Sequence, residues 1–227
     1  MDKNIRLTVI LCLIFVALVF AMTYYRITRN NDVSLSPEAL REVGALVYES
    51  PVVLKPFSLV DHRGQAFTQE QLKGKWSLIF FGFTSCPDIC PLTLTELSQF
   101  YRQLEAESVQ AGLPQIIMVS VDPARDSTEK LAQYMSSFHE DFVGLNGPYE
   151  SVAGLARQLF VSHEPPPVAV AAGDPHAGHS MPAEDYLIDH SGNILVVNPE
   201  GQYHGFLDAA IQDPEITLAF QSIRADY

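Results

Sequence analysis

The chain has 227 residues, with Lys+Arg 14 against Asp+Glu 27 and a formal net charge of −13 at pH 7. Its 47% hydrophobic and 18% charged content suits a folded globular protein and excludes wholesale disorder. The acidic balance excludes an extended nucleic-acid surface, which needs a basic face, and three cysteines are too few for a disulfide framework.

Leu7 to Tyr25, LTVILCLIFVALVFAMTYY, is an uncharged apolar run. As a helix rising about 1.5 Å per residue it measures roughly 28 Å, close to the ~30 Å hydrocarbon core of a bilayer. Lys3 and Arg6 precede it, Arg26 and Arg29 follow it, and Tyr24 and Tyr25 read as an interfacial aromatic pair. A cleaved signal peptide is the competing reading. The run is longer than an ordinary signal core, however, and no small-x-small cleavage site follows it. Residues 1–29 are therefore expected to form a single-pass anchor in a bacterial inner membrane. The short basic head before a long acidic body puts the remainder in the periplasm.

Residues 30–50 are polar, with a helical pattern around Pro37 to Val47, and read as a tether. The folded domain is expected over 51–227. Arg63-Gly64 marks a turn between two short strands. Ser77 to Phe83 is a continuous apolar run of the sort buried in a sheet. Leu94, Leu97, Tyr101 and Leu104 form a helical stripe within Pro91 to Val109. Gln115 to Val121 is a second buried strand. Asp126 followed by Glu129 predicts a capped helix through Phe138. A further helix is expected from Tyr149 to Phe160. Ile194 to Asn198 and Gln202 to Phe206 flank a hairpin turn at Pro199-Glu200-Gly201, and a last helix lies near Pro214. This order predicts an α/β domain with a central sheet flanked by helices, in a thioredoxin-like arrangement. Residues 165–185, PPPVAVAAGDPHAGHSMPAED, cannot form a regular element and read as a loop insertion.

Cys86-Pro87-Asp88-Ile89-Cys90-Pro91 stands where strand gives way to helix. Free backbone N–H groups and the positive dipole end favour thiolate there. On a regular helix the i and i+4 Cβ atoms lie about 5–6 Å apart, whereas a disulfide wants roughly 3.8 Å. Two metal–sulfur bonds of about 2.3 Å span such a gap more easily. The spacing leans towards metal, and a redox disulfide between Cys86 and Cys90 stays open if Cys86 precedes the first turn with Pro87 at the first helical position. Cys12 lies inside the apolar run and reads as a small hydrophobe. Among seven histidines, His190 is singled out by Tyr186-Leu187-Ile188-Asp189-His190-Ser191, where Asp189 and Ser191 flank the ring after a short apolar strand. No proline stands between Asp185 and Leu195, where an oxidoreductase of the thioredoxin type carries one.

Three segments carry a family resemblance: FTSCPDICP (Phe83 to Pro91), VDPARDS (Val121 to Ser127) and YLIDHS (Tyr186 to Ser191). Together, and in this order, the chain from Pro51 onward resembles the Sco/SenC family of copper-binding, thioredoxin-fold assembly proteins. The resemblance carries metal roles onto Cys86, Cys90 and His190, with a copper ion as the cargo. It implies delivery to a copper-receiving subunit of cytochrome c oxidase, with other periplasmic copper carriers or thiol reductases as further partners. The alternative is a thiol–disulfide oxidoreductase acting on the cysteines of that partner. Cys₂His suits Zn²⁺ as well as copper, so the choice of ion rests on the resemblance. Asp122 and Asp126 have ready local uses, as a turn residue and a helix cap. The inserted loop departs from the family pattern. It carries His176, His179 and Met181, an auxiliary ligand cluster on chemical grounds or else a solvated loop.

Overall fold

A computed structural model describes residues 3–29, 34–107, 112–162, 192–209 and 211–227. Helix α1 (Lys3–Arg29) is continuous through the apolar run. Its side chains are described without interruption only from Ile10 to Thr23. Among the described residues no helix is long and apolar enough to cross a membrane. The anchor expected over 1–29 therefore rests on the sequence.

Ser36 caps the short α2 (Pro37–Glu42), accepting from the Ala39 N–H, and Pro37 fits the first turn, where no donor is needed. The helical pattern expected up to Val47 stops early because Gly44, at φ +80°, turns the chain. Ala45–Val53 is then strand β1, so the sheet begins inside the segment expected to be a tether. Pro51 falls where the register slips between Val47 and Val52, a bulge on an edge strand that does not need its missing N–H.

The short strands β2 (Ser58–Asp61) and β3 (Ala66–Thr68) pair around Gly64, as expected. The Asp61 carboxylate closes the turn by accepting from the N–H groups of Arg63 and Gln65. β4 (Ser77–Gly82), α3 (Ile89–Ala106), β5 (Gln115–Ser120), α4 (Thr128–Ser136) and β6 (Val143–Asn146) form two successive parallel crossovers. α5 (Tyr149–Gln158) follows. The hairpin β7 (Ile194–Val197) and β8 (Gln202–Leu207) then adds antiparallel beside β4, and α6 (Glu215–Ala225) closes the domain. The sheet order is β1-β8-β7-β4-β5-β6-β2-β3.

Strand alternation divides the core between the two faces. Leu78, Phe80, Ile116 and Met118 meet Leu94, Leu97, Phe100, Leu131, Met135 and Phe220, so α3, α4 and α6 share one face. Ile79, Phe81, Ile117 and Val119 meet Leu155, Ala156 and Leu59 on the other. Burial on both sides explains why β4 and β5 are unbroken apolar runs rather than alternating ones. Each large side chain so buried contributes about 1.5–3 kcal/mol.

At the far end of the sheet, the His204 ring lies 5.4 Å from the Trp76 ring and 5.6 Å from that of Tyr227. Its Nδ1 is buried without a hydrogen bond among the described residues. Burial holds its pKa below the ordinary imidazole value, with Glu200 opposing weakly. A depressed folded-state pKa stabilises the fold above the unfolded value, and that contribution is lost as pH falls through the folded one. The denaturation midpoint is therefore expected to drop from about pH 7 to about pH 5, across the ordinary histidine range. His204→Phe should flatten that dependence, and an unchanged slope would assign it to other groups.

Candidate metal centre

β4 delivers the chain into a turn in which the Cys86 N–H donates to the Phe83 carbonyl at 3.1 Å. α3 starts at Ile89, two residues before the expected Pro91, with Asp88 at its N-cap position and no side-chain capping bond. Pro91 is tolerated because it sits in the first turn. Pro87 lies before the cap rather than at the first helical position. Cys86 is thus outside the helix and Cys90 just inside it, so the turn, not helical spacing, sets how their sulfurs meet.

The two thiols are unbridged and share a hydrogen bond. Cys86 is half-buried, while Cys90 is 1% exposed. Gly82 makes room for the Cys90 sulfur: a Cβ at that glycine would come 2.8 Å from Sγ. No larger residue fits there without moving the thiol. At Cys90 other contacts work against the thiolate that the helix N-terminus would favour. The bond to Cys86, burial and the Asp126 charge push the Cys90 thiol up, outweighing the backbone bond from Phe83 that opposes them.

Asp126 is not the helix cap. Ser127 takes that place, its hydroxyl accepting from the Lys130 N–H. Asp126 has 0% exposure. Its carboxylate accepts from the Thr84 N–H at 3.1 Å, the Thr84 hydroxyl at 2.5 Å and the Ser120 hydroxyl at 2.6 Å. It ties the loop after β4 to the end of β5 directly beside the cysteines. Asp122, also fully buried, pairs with Arg125, whose guanidinium lies 5.7 Å from the centre of the Phe83 ring. Sequence reasoning missed the role of Asp126. A second acidic residue, four positions after one that already serves the turn, was the available signal.

Two sulfurs at one point are a soft donor pair suited to copper(I) or zinc. Among the described residues no group of three His, Cys, Asp or Glu completes a metal cluster. His190, His176, His179 and Met181 lie outside the described residues. Gly192 is described and packs on the cysteine end: a Cβ there would stand 3.6 Å from Ile89 Cγ1.

A parallel-stranded core with antiparallel edges, and a cysteine pair at the turn from strand to helix, defines a thioredoxin-like domain with a dithiol site. The chain belongs to the SCO1/SenC family, whose model matches residues 48–224. A relative from Stutzerimonas stutzeri, described as copper-binding, is 34% identical over 78% of this chain and 82% of its own length. The mitochondrial protein SCO1 of Saccharomyces cerevisiae is 34% identical over 84% of this chain and 59% of its own length. The chain thus spans little more than half of that mitochondrial relative. Among solved structures, yeast Sco1 superposes with a TM-score of 0.65 at 34% identity, covering 76% of this chain and 98% of that one. Arabidopsis thaliana ScoI with copper bound superposes with a TM-score of 0.65 at 28% identity, covering the same shares of the two chains.

Proposed function

We propose that this protein is a membrane-anchored copper chaperone that holds one copper ion through Cys86, Cys90 and His190 and supports assembly of the copper centre of cytochrome c oxidase. Copper as the ion is supported by the copper-bound relatives, and the oxidase as its destination by the family resemblance. One observation carries the ligand set. Gly192 abuts Ile89, next to Cys90, and two residues of chain reach at most about 7 Å. That placement of Gly192 supports His190, two residues before it, as the third ligand. A three-coordinate site suits a carrier that must surrender its ion.

The uncharged Leu7–Tyr25 run supports the anchor, with the domain on the periplasmic side of a bacterial inner membrane. The His176, His179 and Met181 cluster is an auxiliary, weaker copper site. Its tether raises the local ion concentration at the main site into roughly the millimolar range.

The test is copper stoichiometry and affinity of the full chain, extracted from carbonate-washed membranes in detergent. One tight copper per chain is expected. His190→Ala should weaken binding about tenfold or more while both thiols still titrate. Deleting residues 173–183 should lower only the additional copper taken up in excess. Undiminished affinity in His190→Ala would remove that residue from the site.

The asymmetry of the thiols supports a second reading. The reachable Cys86 would attack a partner disulfide, and the covered Cys90 would then resolve the mixed disulfide, reducing the partner and oxidising the pair. That reading predicts one partner disulfide reduced per chain without metal, and indifference to His190→Ala.

A further inference from the structure

α3 and α4 lie on the same face and follow parallel strands, so they run parallel with their N-termini at the cysteine end. Their register is set by the Phe138 carbonyl, which accepts from the Ser98 hydroxyl at 2.9 Å and from Arg102 Nη2 at 3.1 Å. Tyr134 is about one turn nearer the N-terminus than Phe138. Helical side chains lean towards the N-terminus, and Tyr134 packs against the core cluster that contains Cys90. The ring packs edge-on against Phe138 with centroids 5.3 Å apart. Its hydroxyl is buried and has no hydrogen-bond partner among the described residues. Such an orphan ordinarily destabilises a fold.

The surroundings limit what this hydroxyl can be waiting for. Burial, with the Asp126 charge adding to it, keeps it protonated, so it is a donor. Each Asp126 oxygen already accepts from Thr84, and one accepts also from Ser120. A neutral thiol is a weak acceptor, whereas a metal-bound thiolate is a strong one.

We infer that Tyr134 is a positioning residue for the loaded site, donating its O–H to the Cys90 sulfur when that sulfur carries the metal. The inference rests on the metal-binding reading above. The bond holds the thiolate in place and draws electron density from it. Among the described residues the same hydroxyl has no partner, and loading supplies one.

The test compares Tyr134→Phe with the unaltered full chain in detergent, without oxygen. The Phe substitution keeps the ring packing and removes one oxygen. Co(II) serves as a spectroscopic probe of the sulfur-to-metal charge-transfer band, Cu(I) competition gives affinity, and thermal melting of the metal-free chains reports the fold. A hydrogen bond to sulfur raises the charge-transfer energy, so the band is expected to move to longer wavelength in the variant. Cu(I) affinity should fall about tenfold, the lower end for loss of a group that orients a ligand. The metal-free variant should melt no lower than the parent, since it sheds an unsatisfied hydroxyl. An unmoved band overturns the assignment whatever the affinity does. A parent chain that takes up neither metal overturns the metal reading, and this assignment with it.

Discussion

Cys90→Ser is expected to abolish copper retention by the full chain, whereas Cys12→Ser should leave it unchanged. In the proposed site the buried thiol is one of two thiolate ligands, and a serine hydroxyl is a hard, neutral donor with little affinity for copper(I). The substitution is close to isosteric, so the pocket beside Gly82 still closes. A buried hydroxyl without a good partner costs about 1–3 kcal/mol, which a domain of this size tolerates. The measurement is copper per chain after desalting from micromolar copper(I), read beside a melting curve. Retention of one copper in a folded Cys90→Ser chain would exclude the dithiol as the site. Loss in Cys12→Ser would place a ligand in the N-terminal helix instead.

The second large effect concerns a residue that needs no contact with the ion. Asp126→Ala should destabilise the domain by about 3 kcal/mol, because it strands the Thr84 N–H and two hydroxyls, each worth about 1–3 kcal/mol when left buried and unpaired. At this chain length that lowers the melting temperature by roughly 6–12 °C. Asp126→Asn keeps one acceptor oxygen and should lose less than half as much. Both variants remove a negative charge that pushes the Cys90 thiol up, so that thiol should deprotonate more readily. Thiol alkylation against pH, alongside melting, reads the two consequences separately. A melting temperature within about 2 °C of the parent in Asp126→Ala, a shift worth about 1 kcal/mol or less, would show that water replaces the carboxylate at little cost.

Much of the domain was legible because its signals are local. β4 and β5 are apolar without interruption since both faces are covered, and that shows in composition alone. The turns at Gly64 and Gly201 need φ near +80°, which glycine supplies and sequence displays. Where two local signals competed, the reading went astray. Asp126 and Ser127 are both good caps, and the outcome turned on Thr84 and Ser120, far away in sequence, which claimed the carboxylate. Residues 45–50 look like polar linker until β8 offers an edge for them to pair with.

The sequence by itself determined that the fold is α/β, that a cysteine pair stands at a strand-to-helix turn, and that three separated segments belong to one family. Those facts depend on residue identity and on spacing along the chain. Only the tertiary structure decided that Cys90 is covered and its thiol pushed up, that Gly82 is the hollow its sulfur occupies, and that Tyr134 arrives from a neighbouring helix with a buried hydroxyl unpartnered among the described residues. Thiol acidity and hydrogen-bond satisfaction are set by what lies within a few ångströms, and here those neighbours come from β4, β5 and α4, which no local pattern brings together.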